Sequence, residues 1–397
     1  MAKLGDVCNF YSGTGFPNAY QGDKHGKYPF YKVGDISKNV ISGNVELISC
    51  DNYINDDVVN LIKGTIIPPQ CVVFAKIGEA LKLNRRALTS CYCLVDNNVM
   101  GVQANNLYLD SRYFYYFMCN VDLQRYSEST AVPSVRKSRI AEIEIPLPSL
   151  EEQRHIAAIL DKVTDLIAQR RAQLDKLDHL VKSRFVEMFG DPEYNNKNWE
   201  IVPLSTVCSV GSSKRIYQNE QSTQGIPFLR ISDLMNLINT GILTTNLYIP
   251  EKRYKELQLK GQVPKSGDIL VTSRGTLGQC YIIKDYDKFA FQDGMISWLS
   301  AFKDNITPLY LSYLFAMPGF HKQIDAMQAG STVSYLSISM IKNLKVMIPD
   351  IKKQQDFAKF VTGTSSLKSI LTQSLTQLQT LKRAIMQEHF EQGETIV

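Results

Sequence analysis

The stretch Ser149 to Gly190, SLEEQRHIAAILDKVTDLIAQRRAQLDKLDHLVKSRFVEMFG, constrains the fold more than any other part of the chain. It predicts one long helix. Ser149 is placed to cap the first turn with its hydroxyl, and Glu152, three residues on, completes a capping box. Pro146 and Pro148 forbid an earlier start, and Gly190-Asp191-Pro192 supplies both stop signals. Between them apolar residues recur at alternating spacings of four and three: Ile156, Leu160, Val163, Ile167, then Leu174, Leu177, Val181 and Met188. Arg170 and Arg184 interrupt that stripe. About 40 residues at ~1.5 Å each make a rod of roughly 60 Å. Alone, such a rod would leave its stripe in water, so it requires a second helix.

That second helix is predicted in the same chain. Ile351 to Phe390 repeats the pattern at a shift of 201, which carries Pro148 to Pro349, Gln153 to Gln354, Ile156 to Phe357, Leu174 to Leu375, Leu177 to Leu378, Leu180 to Leu381 and Phe189 to Phe390. The match extends upstream to Ile140 and Ile341, each in a strand-like run ending in proline (IAEIEIPLP and IKNLKVMIP). A fixed shift over about 50 residues marks an internal duplication with a period near 200. Gly363 costs about 1 kcal/mol against Ala in a helix interior, so a bend or late start is expected near Thr362 to Ser366.

Residues 1–148 and 193–349 read as the two globular copies. Each opens on a short segment ending in Val-Cys (LGDVC at 4–8, LSTVC at 204–208). Each then reaches an aromatic strand with one cation, YPFYKVGDI at 28–36 and IPFLRISDL at 226–234. A glycine turn feeds a β-branched strand in KGTIIPPQCVVFAKIG (63–78) and KSGDILVTSRGTLG (265–278). A helix-like aromatic segment follows, SRYFYYFM (111–118) and LYLSYLFAM (309–317). These strands and helices predict an α+β domain in each copy. DPEYNNKNWE (191–200) is a turn-rich linker. The frameworks agree; the loops differ in sequence and length.

Composition excludes several classes. At 44% hydrophobic and 21% charged residues the chain is that of a globular protein. MAKLGDVCNF carries no signal-peptide pattern, and no apolar run reaches the ~20 residues of a membrane span. Eight cysteines are scattered without a C-x-x-C pair, which points to reduced thiols in a cytosolic protein. Net charge is +5, with 15 Lys and Arg against 14 Asp and Glu in 1–148 and 16 against 12 in 193–349. Bulk charge therefore does not by itself mark a nucleic-acid binder. No phosphate-cradling glycine loop is present. The run IPPQ at 67–70 superficially suggests an amino-methyltransferase, but it lacks the flanking Asn or Asp and aromatic. The histidines are dispersed, and the pairs Asp56-Asp57 and Glu151-Glu152 suit a solvated turn and a helix N-terminus.

A variable domain followed by a long helix, twice over, resembles the specificity subunit of type I restriction–modification systems. The resemblance covers nearly the whole chain. PLPSLEEQRHIAAILDKVTDLI with FVEMFGDPEYNNKNWEIVPLSTVC is similar to that family's central conserved region, and VMIPDIKKQQDFAKFV to its distal one. PFYKVGDI, PFLRISDL, ILVTSRGTLG and AGSTVSYLS resemble framework motifs of its target-recognition domains. The first copy departs from the pattern in FAKIGEALKLNRR and STAVPSV. The resemblance implies target-recognition domains at 1–148 and 191–349 (with its linker), related by the repeat and separated by two long antiparallel coiled-coil-like helices at 149–190 and 350–391, before a tail at 392–397. It implies a non-catalytic, prokaryotic, cytoplasmic subunit that reads double-stranded DNA. Its partners would be two modification (methyltransferase) subunits binding S-adenosylmethionine and, in the full complex, restriction translocase subunits using ATP and Mg. Neither cofactor would be held by this chain. Two unlike heads on a stiff spacer suit two unlike half-sites about one ~34 Å turn of DNA apart. A fused methyltransferase or nuclease, and an assembly scaffold that reads no sequence, are the alternatives.

For base contact, Arg is the best-suited side chain because its fork pairs bidentately with guanine. Arg274 in the TSRGT turn is the leading candidate, with Ser273 and Thr276 beside it and Lys214 and Arg215 in the SSKR loop. Arg230 and Lys32 occupy the same place in their strands, which suits a framework role as well as a DNA one. In the first copy Lys76, Lys82, Arg85 and Arg86 form a basic cluster, and Tyr11 and Tyr20 flank the first glycine-containing loop. Arg154, Arg170, Arg171, Lys352 and Lys353 on the rods are candidate partner contacts; plain solvated helix faces explain them equally well.

Overall fold

The computed structural model describes residues 1–128, 132–328 and 334–390. Parts of STAVPSV and AGSTVSYLS, and the tail 392–397, lie outside the described residues. The chain divides into two compact units, Met1–Gln173 with Leu371–Val397, and Leu174–Ile370. The class is α+β, and the two units share one plan.

In the first unit a four-stranded antiparallel sheet runs in the order Cys8–Ser12, Val99–Ala104, Cys71–Ala75, Ala87–Leu88. A three-stranded sheet runs Tyr53–Ile54, Tyr28–Tyr31, Leu94–Val95, its first pair antiparallel and its second parallel. The second unit repeats both in the same order and sense. Its strands are Ser209–Gly211, Ile296–Ser300, Ile269–Thr272 and Cys280–Ile282, then Tyr248–Ile249, Ile226–Leu229 and Ala290–Phe291.

The strand CVVFA is apolar at every position because both of its faces are covered. Val72 and Phe74 join the aromatic helix Ser111–Asn120 in one core, while Cys71 and Val73 join Ile36 and Leu47 in another. The second unit divides Ile269 and Val271 from Leu270 in the same way. Both aromatic helices are capped by side chains. Asp110 accepts from the N–H groups of Arg112 and Tyr113 at 2.9 and 3.0 Å, and Thr307 from that of Tyr310 at 3.3 Å.

The long helices run Leu150–Phe189 and Ile351–Phe390, 40 residues each. The N–H of Glu152 donates to the Ser149 hydroxyl at 3.2 Å, as the cap requires. Within the first unit Ile156, Ala157 and Leu160 share a core with Met386 and Phe390, and Tyr113 meets Phe390 edge-on at 5.1 Å. Within the second, Phe185 and Phe189 meet Phe357 at 5.5 and 5.4 Å. Low numbers of one helix thus meet high numbers of the other, and the pairing inside each unit is antiparallel.

One polar pair ties helix to head in both copies. Gln153 and Gln354 are fully buried. The Oε1 of Gln153 accepts from the Asp110 N–H at 2.8 Å, and its Nε2 donates to the carbonyls of Tyr108 and Pro148 at 3.0 Å. The Oε1 of Gln354 accepts from the Thr307 N–H at 2.9 Å, and its Nε2 donates to Asn305 and Pro349 at 2.9 Å. Each amide therefore meets three backbone groups at the start of an aromatic helix and of a long helix, a need that apolar side chains cannot meet.

Three expectations are corrected. The second long helix starts at Ile351 and continues through Gly363; the hydroxyls of Thr362, Thr364 and Ser366 around it donate to carbonyls four residues earlier without interrupting it. The strands of YPFYKVGDI and IPFLRISDL end at Tyr31 and Leu229, and Lys32 and Arg230 are the N-caps of the helices Val33–Ile41 and Ile231–Thr240. The backbone N–H of each donates to the carboxylate three residues on, Asp35 at 2.8 Å and Asp233 at 2.9 Å. The runs before Pro146 and Pro349 begin as short helices, Lys137–Ala141 and Ile338–Asn343, and become strands only at Glu144–Ile145 and Lys345–Ile348.

Candidate nucleic-acid interface

Antiparallel pairing delivers several loops to one end of the large sheet in the second unit. The strands Ser209–Gly211 and Ile269–Thr272 finish there and Ile296–Ser300 begins there. Leu229 arrives beside them, since its carbonyl accepts from the Gln292 N–H at 2.9 Å. This rim gathers Lys214, Arg215, Arg230, Arg274 and Thr276, scattered over more than 60 positions of sequence.

Local chemistry shapes the rim. Ser212 donates to the Ile296 carbonyl at 3.0 Å and Ser213 to that of Phe291 at 2.6 Å, which pins the SSKR loop to the sheet. The hairpin after Thr272 closes through the Gly278 N–H donating to the Thr272 carbonyl at 2.9 Å. Gly275 and Gly278 hold φ of 69° and 75° there, left-handed angles that a side chain would strain. Arg215 pairs with Asp293 at 3.0 Å and Arg230 approaches Asp233 at 3.7 Å. Lys214 and Arg274 are exposed and make no ion pair among the described residues; the Arg274 guanidinium lies 5.2 Å from the Tyr335 ring. Ser273 is corrected: it is 1% exposed and its hydroxyl sits 2.7 Å from that of Ser297, so it belongs to the framework.

The first unit has the corresponding rim, differently furnished. Lys76 is half-buried at the end of Cys71–Ala75. Lys32 donates to the Gln21 side chain and lies 5.5 Å from the Phe16 ring. Lys82 pairs with Glu79 at 2.6 Å on the short helix Glu79–Lys82. The basic cluster is not one patch. The chain turns back at Asn84, whose amide donates to the Val121 carbonyl at 3.0 Å. Arg85 is half-buried, and Arg86 is 2% exposed, donating to Asn84 Oδ1 at 2.6 Å with its guanidinium 5.0 Å from the Phe74 ring. Burial pushes the Arg86 pKa down to about 10, and among the described residues its Nε has no hydrogen-bond partner. Arg86 is thereby corrected from a surface contact to a core group. Tyr11 commits its hydroxyl to Gln103 at 3.0 Å, and Tyr20 is half-buried in the turn Asn18–Tyr20.

On the long helices Arg154, Arg171, Lys352 and Lys353 are exposed. Lys353 lies 4.9 Å from the Trp199 ring. Arg170 is half-buried, and its Nε donates to Ser374 of the other helix at 3.2 Å. Sequence reasoning missed Ile77 and Tyr335, which the sheet ends bring to the rims; neither is polar enough or patterned enough to signal itself. Among the described residues no His, Cys, Asp and Glu group could hold a metal ion, and no helix is long and apolar enough to cross a membrane.

The comparisons with known proteins agree with this duplicated plan. The family described as Type I restriction modification DNA specificity domain matches twice, at residues 1–177 and 196–380. The chain belongs to that family. A similar protein of the specificity-domain family is the type I restriction enzyme MjaVIII specificity subunit of Methanocaldococcus jannaschii, 23% identical over 97% of this chain and 90% of that protein. The type I restriction enzyme EcoBI specificity subunit of Escherichia coli is 20% identical over 98% and 84%. The crystal structure of the type I restriction–modification S subunit from M. genitalium superposes with a TM-score of 0.57, at 14% identity, over 98% of this chain and 96% of that one. The specificity-domain fold is therefore present in both copies.

Proposed function

We propose that this chain is the DNA-reading subunit of a type I restriction–modification complex and that each unit reads one half of an asymmetric, bipartite site. The observation that carries the reading is the pair of rims: one sheet framework, used twice, ends in loops of different length and chemistry. A duplicated framework with identical rims would suit a palindrome; unlike rims suit unlike half-sites. In the second unit Arg274, Lys214 and Thr276 are the base or phosphate contacts, with Arg215 and Arg230 at the edge of the same surface. In the first, Lys76, Lys82 and Lys32 take that part. The two 40-residue helices set the gap between the half-sites, about 1.5 Å per residue of helix. Their exposed faces, with Arg154, Arg171, Lys352 and Lys353, dock two methyltransferase subunits, for which an internally repeated scaffold offers nearly equivalent surfaces.

On this reading the chain is not itself a catalyst. S-adenosylmethionine, ATP and Mg are bound by the methyltransferase and translocase subunits. The test is domain exchange. Replacing residues 1–148 by the first domain of another family member is expected to change one half of the methylated motif and leave the other half intact. A change in both halves, or in neither, contradicts the reading.

A further inference from the structure

The two rims can be aligned atom by atom where sequence alignment cannot. Beyond the strand Cys71–Ala75 the Lys76 N–H donates to the Asn98 carbonyl at 2.8 Å, and the Lys76 carbonyl accepts from Val135 at 2.9 Å. Beyond Ile269–Thr272 the Ser273 N–H donates to the Met295 carbonyl at 2.9 Å, and the Ser273 carbonyl accepts from Leu336 at 3.0 Å. The next residue in each copy forms an isolated antiparallel bridge, Ile77 with Ser134 and Arg274 with Tyr335. Ile77 and Arg274 therefore hold the same place in the framework. The general shift of 201 would have set Ile77 against Gly278, because the loops between have different lengths.

Their chemistry is opposite. Arg274 is exposed, forms no ion pair among the described residues, and presents a planar fork of donors. Ile77 is 37% exposed, an aliphatic side chain with nothing to donate or accept. Neither is needed for the core of its unit. In the DNA major groove a guanidinium matches the two acceptors of guanine, and an aliphatic group matches the C5-methyl of thymine.

We propose that position 77 and position 274 are equivalent base-selecting positions, at which the second unit chooses guanine through Arg274 and the first chooses thymine through Ile77. This rests on the DNA-reading function proposed above, and it adds which residue in each unit selects and which base class it selects.

The test uses the complex of this chain with its methyltransferase partner and a duplex carrying the methylated motif. Each thymine is replaced in turn by deoxyuridine, which removes only the methyl group, and each guanine by 7-deazaguanine, which removes one acceptor. One thymine in one half-site is expected to lose about fourfold in affinity on demethylation, the worth of one buried methyl. That loss vanishes in Ile77→Ser. One guanine in the other half is expected to lose about 10-fold or more, and that loss vanishes in Arg274→Ala. The atomic replacements need no variant, so a misfolded mutant does not block the test. Losses that persist unchanged in both variants, or no sensitive thymine in the half read by the first unit, overturn the proposal. Absence of any bipartite motif for the unaltered complex would instead overturn the DNA-reading function beneath it.

Discussion

Replacing Gln354 by Met tests the joint between helix and head most sharply. Methionine matches the glutamine side chain in length but offers no hydrogen bonds. The change strips partners from the Thr307 N–H and from the carbonyls of Asn305 and Pro349, all at 2.9 Å in the structure. Asn305 lies at the surface, where water replaces the lost donor. Thr307 and Pro349 lie deeper, and a buried backbone group left without a partner costs about 1–3 kcal/mol. The expected loss is about 3 kcal/mol, or a fall in Tm of roughly 6–12 °C for a unit of this size. Urea unfolding followed by tryptophan fluorescence reads it directly, because both tryptophans of the chain, Trp199 and Trp298, belong to the second unit. A loss below about 1 kcal/mol would mean that these groups find other partners or water and that Gln354 is not what holds the joint.

Gly363→Ala is expected to stabilise the second unit by about 1 kcal/mol, because the position is mid-helix with open space around an added Cβ; a loss of stability in the same urea titration would contradict a continuous helix. Arg86→Met is expected to change stability by less than about 1 kcal/mol, since a desolvated charge with no ion pair among the described residues gives way to a fitting apolar chain, and to leave the methylated motif untouched; an altered motif would return Arg86 to the DNA surface. Arg274→Ala is expected to weaken specific binding by about 1–3 kcal/mol and relax one base position; an equal loss on every sequence would make it a phosphate contact.

The helical frame was legible in the sequence because its signals are redundant. Prolines, a serine cap and a stripe of spacing three and four all fix the first long helix, and the shift of 201 repeats the argument for the second. The shared register of Gln153 and Gln354 at that shift was visible too, although their role was not: a polar residue on an apolar stripe gives no hint of three backbone partners. The rims were legible only in part. Arg274 and Thr276 stand in a glycine hairpin that advertises exposure, whereas Ser273, one residue away, is held inward by its backbone bonds to Met295 and Leu336 and by the Ser297 hydroxyl, none of which the sequence shows. Arg86 looked like surface charge because sequence does not show that the chain folds back on Val121 and covers it. Lys32 and Arg230 were placed in strands because the aromatic run continues past them, while the Asp three residues later is the capping signal that ends the strand. Ile77 was invisible for a simpler reason: an isoleucine beside a buried strand reads as core until its bridge to Ser134 places it on the rim.

On the proposed function, one duplicated framework with two unlike rims reads two unlike half-sites at a fixed separation. Methylome sequencing of cells that express this chain with its cognate methyltransferase tests it most directly. A single split motif is expected, two short and different halves around a constant gap of unspecified bases. An uninterrupted palindrome, or methylation with no sequence preference, would contradict it.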